Sequence, residues 1–151
     1  MIVKLVSFDT SIQKTGFCVF NNGEYKTSGT ITPGKKVSGD DAFQLEAKAI
    51  IDFLNQELPD IIVIETTYQK NNFEVYRRLS MLVGVVYGWA LEHETFISLL
   101  EAKKWRSCIS SDFAKMKRED AKEWSKQYAE NKYKISVQSD DESDAILIGQ
   151  A

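Results

Sequence analysis

Four acidic side chains, Asp9, Glu65, Asp141 and Asp144, stand where their carboxylates could converge. Asp9 ends the apolar run 2–8 and Glu65 ends the run 61–64. A carboxylate closing a buried strand costs on the order of several kcal/mol if nothing meets it, so each needs solvent or a cation. Asp141 and Asp144 are three residues apart, which puts both on one face of a helix. Ser139 followed by Glu142 also reads as a capping box, in which acids of the first turn meet the positive end of the helix dipole. Capping explains neither Asp9 nor Glu65. Asp140 is likewise a helical neighbour of Asp144 and could replace Asp141 in such a group.

The elements that would carry these residues follow from periodicity. Runs 2–8, 17–20 and 24–32, with Asn22-Gly23 as a hairpin turn between the last two, predict an antiparallel meander. Ala42, Leu45, Ala49, Ile50, Phe53 and Leu54 recur at helical spacing until Pro59. The β-branched run 61–65 reads as a central parallel strand covered on both faces. A helix over about 72–93, a strand over about 95–100, helical segments between about 102 and 132, an extended piece near 133–137 and a helix from Ser139 complete the chain. A meander followed by alternating helix and strand predicts an α/β fold with a five-stranded mixed sheet and helices on both faces. The C-terminal ends of the first and fourth strands then lie side by side, and Asp9 meets Glu65.

At 151 residues, 43% hydrophobic and 27% charged, the chain has the size and composition of one globular domain, 1–151. No apolar run approaches the roughly 20 residues of a membrane helix. The start runs directly into Asp9 without an export signal. Cys18 and Cys108 are the two cysteines, far apart, and fit reduced thiols in a cytoplasmic compartment. A single histidine, His93, leaves no basis for a zinc site or a serine–histidine triad and reads as a surface or cap residue. The net charge of −3 argues against a nucleic-acid partner, but its distribution does not. Between Lys103 and Lys134 ten Lys or Arg face five acids, whereas 139–144 carries four acids and no base. Such segregation suits phosphates on one surface and divalent cations on another, although a solvated helix face accounts for much of the basic stretch.

The segments Asp9-Thr10-Ser11-Ile12-Gln13-Lys14-Thr15-Gly16, Ile62-Val63-Ile64-Glu65-Thr66-Thr67-Tyr68 and Asp141-Glu142-Ser143-Asp144-Ala145 resemble, in order and spacing, the three signatures of RuvC-type Holliday-junction resolvases. The Thr-Gly pair and the aromatic residue three beyond the Glu are the discriminating parts. The resemblance implies a ribonuclease H-like fold, a homodimer, and a catalytic and metal site of Asp9, Glu65, Asp141 and Asp144. The short acidic chain is similar to the small bacteriophage members, which would place it in the cytoplasm of a bacterial host. Thr10-Ser11 stands where the family often has Pro-Gly. Four carboxylates can hold two Mg²⁺ or Mn²⁺ ions about 4 Å apart, activating water and stabilising the leaving 3′-oxygen of a phosphodiester.

The partner implied is branched DNA: four-way junctions, and forks or flaps besides. Tyr68, Lys70 and Phe73 lie in or beside a polar loop after Glu65 that could stack on an unpaired base and touch phosphate; either ring could instead cap the core. Arg77, Arg106, Lys115, Lys117 and Arg118 are the remaining candidate DNA contacts. The helix over 72–93 shows two apolar stripes, Leu79, Leu82, Val83, Val86, Tyr87 and Ala90, and Met81, Val85, Gly88 and Trp89. One suits the sheet and the other a second subunit, or both are covered within one chain. A ribonuclease of the same fold and a non-catalytic nucleic-acid-binding protein are the competing readings. An actin-like kinase needs two such lobes, for which the chain is too short.

Overall fold

The computed structural model describes residues 1–33, 37–67 and 72–151. Three strands, β1 (Lys4–Asp9), β2 (Thr15–Asn21) and β3 (Glu24–Ile31), form the expected meander. Asn22 and Gly23 both take positive φ, 51° and 81°, as a tight hairpin turn with right-handed strand twist demands. Helix α1 (Gly39–Glu57) leads to β4 (Ile61–Glu65), and α2 (Phe73–Glu92) leads to β5 (Phe96–Leu100). Four more helices follow: α3 (Ala102–Ile109), α4 (Ser111–Lys115), α5 (Arg118–Tyr133) and α6 (Asp140–Gln150). The strand order is β3-β2-β1-β4-β5, with β1–β4 and β4–β5 parallel and the meander pairs antiparallel. This is the mixed α/β sheet that the pattern of elements predicts.

Strand alternation divides the core. Val6, Phe8, Ile62 and Ile64 face α1 and α2, where they meet Ile50, Leu54, Leu82, Val86 and Trp89. Cys18, Phe20 and Val63 face the other way, against Trp105, Phe113, Ala129, Ile146, Leu147 and Ile148 of the later helices. The piece expected to be extended near 133–137 starts in helix: α5 runs through Tyr133, and Lys134 ends it in the left-handed conformation at φ 56°. Of the two stripes of α2, the second is partly used within the chain, because Trp89 is buried and donates its indole N–H to Asn55 Oδ1 at 2.8 Å. His93 caps α2 and stacks on Trp89, 3.9 Å between ring centroids.

Helix α6 lies unusually close to the sheet, and small side chains permit it. A Cβ on Gly16 would come within 1.8 Å of the Asp141 carbonyl oxygen, and one on Gly149 within 2.5 Å of Phe20 and Ser7. The helix is also tied down by polar contacts. Ser7 Oγ donates to the Ala145 carbonyl at 2.6 Å, and the buried Glu142 carboxylate accepts from Ser28 Oγ at 2.7 Å and from the Gln138 N–H at 3.0 Å. Ser139 Oγ accepts the Glu142 N–H at 3.2 Å, so the helix start is capped as its sequence suggests. Gly16→Ala must push the first turn of α6 off β2, and we expect it to cost about 3 kcal/mol, the upper range for overpacking. Urea unfolding measures this; an unchanged midpoint would mean that α6 does not depend on the close approach.

Candidate active site

The fold brings the four acids to one cleft. In the parallel β1–β4 pair Phe8 is level with Ile64, so Asp9 and Glu65 are the next residues along, side by side at the strand ends. Because Phe8 and Ile64 point towards α1 and α2, alternation turns Asp9 and Glu65 to the opposite face, beneath the first turns of α6. Asp9, Glu65, Asp141 and Asp144 all line a cleft of ≈ 1260 Å³, together with the β1–β2 loop, the N-terminal half of α2 and parts of α3 and α5.

Mutual proximity is visible in the proton affinities. Burial raises the Asp9 carboxyl well above its ordinary value, and the charges of Asp144, Glu65 and Asp141 add to that. Burial also raises the Asp141 carboxyl, and its hydrogen bond with Asp9 works against that rise while adding to the rise at Asp9. Asp144 is pushed up to about 6, by burial first; the Ser125 hydrogen bond and the Arg106 charge oppose the shift, and Glu65 and Asp141 reinforce it. Asp140 is instead paired with Lys122 at 3.2 Å. Of the two neighbouring acids, Asp141 is therefore the one against Asp9.

Among the described residues no three acidic, cysteine or histidine side chains are drawn close enough to enclose a cation. The donor set nevertheless suits one. Carboxylates that raise one another's proton affinity are stabilised by a hard divalent ion, and oxygen donors favour Mg²⁺ or Mn²⁺ over softer metals.

Two neutral donors that the sequence pattern does not reveal hold the site carboxylates. Trp105 of α3 is fully buried and its indole N–H donates to Glu65 Oε2 at 2.5 Å. Ser125 of α5, also fully buried, donates its hydroxyl to Asp144 Oδ1 at 2.8 Å. A buried indole N–H needs an acceptor, which is the one sequence-level hint that Trp105 reaches a polar group. Arg106 lines the cleft, its guanidinium carbon 5.4 Å from the centroid of the Trp105 ring and 5.5 Å from that of Phe113.

The candidate DNA contacts divide. Arg106 and Arg118 line the cleft. Lys14 and Lys122 line it too; Lys122 stands four residues beyond Arg118, a helical spacing that could have identified it. Lys115 ends α4 and Lys117 caps α5, both exposed and neither among the lining residues. Arg77 is engaged elsewhere, 3.0 Å from Asp40 and 2.9 Å from Glu74, with Arg78 joining the same group. Phe73 is 57% exposed beside Tyr76, whose ring lines the cleft. Tyr68 and Lys70 lie outside the described residues.

Trp105→Phe keeps an aromatic ring and removes the donor to Glu65, along with part of the buried indole volume. Loss of such an outer contact typically costs about 10–100-fold in metal affinity or activity, and we expect a Mn²⁺ affinity decrease in that range by calorimetry, measured at a temperature where the variant stays folded. Unchanged affinity would mean that Glu65 is held without Trp105.

No protein-family model matches the chain, nor does any curated protein. Solved structures do. Thermus thermophilus RuvC in complex with a Holliday junction substrate superposes with a TM-score of 0.73 at 11% identity, covering 98% of this chain and 90% of that one. Thermus thermophilus RuvC in a separate structure gives 0.70 at 12% identity, with 98% and 92% covered. The yeast mitochondrial Holliday junction resolvase gives 0.69 at 15% identity, with 98% and 76% covered. The chain thus has the ribonuclease H-like fold of the RuvC-type resolvases, an α/β fold built on a five-stranded mixed sheet.

Proposed function

We propose that the protein is a metal-dependent, structure-specific DNA endonuclease that nicks four-way junctions, and other branched DNA such as forks and flaps, with residues 1–151 acting as one nuclease domain. The observation that carries this reading is the convergence of Asp9, Glu65, Asp141 and Asp144 from two strand ends and one helix into a cleft whose rim includes Lys14, Arg106, Arg118 and Lys122. Acids that can hold cations lie where phosphate chemistry would occur, and bases that can hold phosphates surround them.

Asp9, Glu65, Asp141 and Asp144 are the residues that would hold Mg²⁺ or Mn²⁺. Two such ions, when bound, lower the pKa of a nucleophilic water and stabilise the leaving 3′-oxygen. The protein's own part is to aim the carboxylates through Trp105 and Ser125 and to seat the DNA backbone. Arg106, on its aromatic shelf, is placed to meet the phosphate nearest the acids. Lys14, Arg118 and Lys122 extend phosphate contact along the cleft, with the exposed Lys115 and Lys117 beyond it. Val75, Tyr76 and Leu79 make an uncharged wall at the start of α2, and the exposed ring of Phe73, beside Tyr76, could meet an unpaired base.

A four-way junction needs two matched nicks, which favours a twofold homodimer. Helix α2 supplies a surface for it: Met81, Tyr87 and Leu91 remain exposed, and nothing lies within 4 Å of a Cβ placed on Gly84 or Gly88.

Cleavage of labelled four-way junction, fork, linear duplex and RNA–DNA hybrid with Mg²⁺ or Mn²⁺ tests the proposal. We expect paired, symmetric nicks in the junction and their loss, by at least about 10³-fold, in Asp9→Asn, Glu65→Gln and Asp144→Asn, with folding intact; single missing elements of metal or oxyanion stabilisation have effects of about that size. Cutting of the hybrid alone would assign the site to RNA, and unfolding of all three variants would make the acids structural.

A further inference from the structure

The loop between β1 and β2 forms one wall of the cleft, with Thr10, Ser11, Ile12, Gln13 and Lys14 all lining it. Thr15 closes that loop into a ring. Its hydroxyl accepts the Ser11 N–H at 3.3 Å and lies 3.0 Å from the Ser11 carbonyl, to which it can donate. Thr15 is held in turn from behind, by a residue of α1. Glu46 Oε2 accepts the Thr15 N–H at 3.1 Å and sits 3.2 Å from its hydroxyl.

Glu46 is out of place by every packing criterion. It is fully buried, it falls on the core side of α1 together with Ala42 and Ile50, and its second oxygen, Oε1, has no hydrogen-bond partner among the described residues. Burial pushes its carboxyl up to about 7, against the lowering effect of both Thr15 hydrogen bonds. An aliphatic side chain of similar size would fill the same space without desolvating a carboxyl group. What an aliphatic side chain could not do is accept the Thr15 N–H and offer an acceptor beside the Thr15 hydroxyl, whose one proton goes either to Glu46 Oε2 or to the Ser11 carbonyl. Thr15 also precedes Gly16, the residue whose backbone abuts Asp141, so a shift at Thr15 is passed to both walls of the cleft.

We propose that Glu46 is a positioning residue: through Thr15 it fixes the Ser11–Lys14 wall in the shape that receives the DNA backbone. This rests on the nuclease reading of the site and adds to it a determinant of substrate binding that touches neither metal nor DNA.

Two substitutions separate this role from simple packing. Glu46→Met keeps the bulk and removes both oxygens; Glu46→Gln keeps the bulk and one acceptor oxygen. Amide hydrogen exchange and junction-nicking kinetics are read for each. In Glu46→Met we expect exchange at Ser11 and Thr15 to rise about tenfold or more, the worth of one lost hydrogen bond, while the amides of β1 and β4 stay protected. KM for the junction should rise with kcat nearly unchanged, and Glu46→Gln should restore both readouts most of the way. Exchange rising over the whole sheet together with a lowered melting temperature in both variants would make Glu46 a packing residue. Unaltered protection of Ser11 and Thr15 in Glu46→Met would equally overturn the proposal. If the native chain nicks no branched DNA, the nuclease reading falls, and the exchange measurement alone decides whether Glu46 positions the loop.

Discussion

The close docking of α6 on the sheet is the constraint on which the rest of the site depends. The Asp141 carbonyl occupies the space that a side chain at position 16 would take, and Ser7 and Glu142 lock the helix to the strands beneath it. This contact sets Asp141 and Asp144 over the ends of β1 and β4, where Asp9 and Glu65 already stand. The consequence is electrostatic. Four carboxyl groups share one cleft, and burial together with the charges of Asp144, Glu65 and Asp141 raises the Asp9 carboxyl well above its ordinary value. A fold that tolerates such crowding has compensating contacts, and here they are neutral or cationic: Trp105 on Glu65, Ser125 on Asp144, and the charge of Arg106 acting on Asp144.

The acids share their cleft with basic residues. An acidic floor alone would repel nucleic acid, and a chain of net charge −3 offers no general attraction to it. Lys14, Arg106, Arg118 and Lys122 supply positive charge locally, from three different elements, around the carboxylates. Arg77 and Arg78, by contrast, are committed to Asp40 and Glu74 and join the start of α1 to the start of α2. Basic residues in this chain thus stand in two places, around the cleft, where Lys122 also pairs with Asp140, and at the paired starts of α1 and α2.

Much of this was legible in the sequence because it is local. The apolar runs 2–8 and 61–64 placed Asp9 and Glu65 on strand ends, Asn22-Gly23 announced the hairpin, and Ser139 with Glu142 announced the start of α6. Contacts between distant segments were not legible. The need for glycine at position 16 comes from a carbonyl 125 residues further on, and the partner of Trp105 lies 40 residues earlier. The burial of Glu46, four residues from both Ala42 and Ile50, becomes meaningful only once Thr15, 31 residues earlier, is found bonded to it. The helix end near 133–137 was less legible: Tyr133 closes α5, and it packs with Ile135 against the core that includes Phe20 and Val137. Arg77 was open to a better reading, since Glu74 precedes it by three residues on the same helix face.

The central claim is that the four acids form one unit whose repulsion a divalent cation relieves. Calorimetric titration of Mn²⁺ at pH 6, in two buffers of different ionisation enthalpy, tests it most directly. Protons held by Asp9 and Asp144 in the metal-free protein must leave when the cation binds, so the heat should depend on the buffer. The account predicts binding with proton release in the native chain and loss of both in Asp9→Asn. Binding that is buffer-independent and unaffected by Asp9→Asn, or no binding at all, would contradict it.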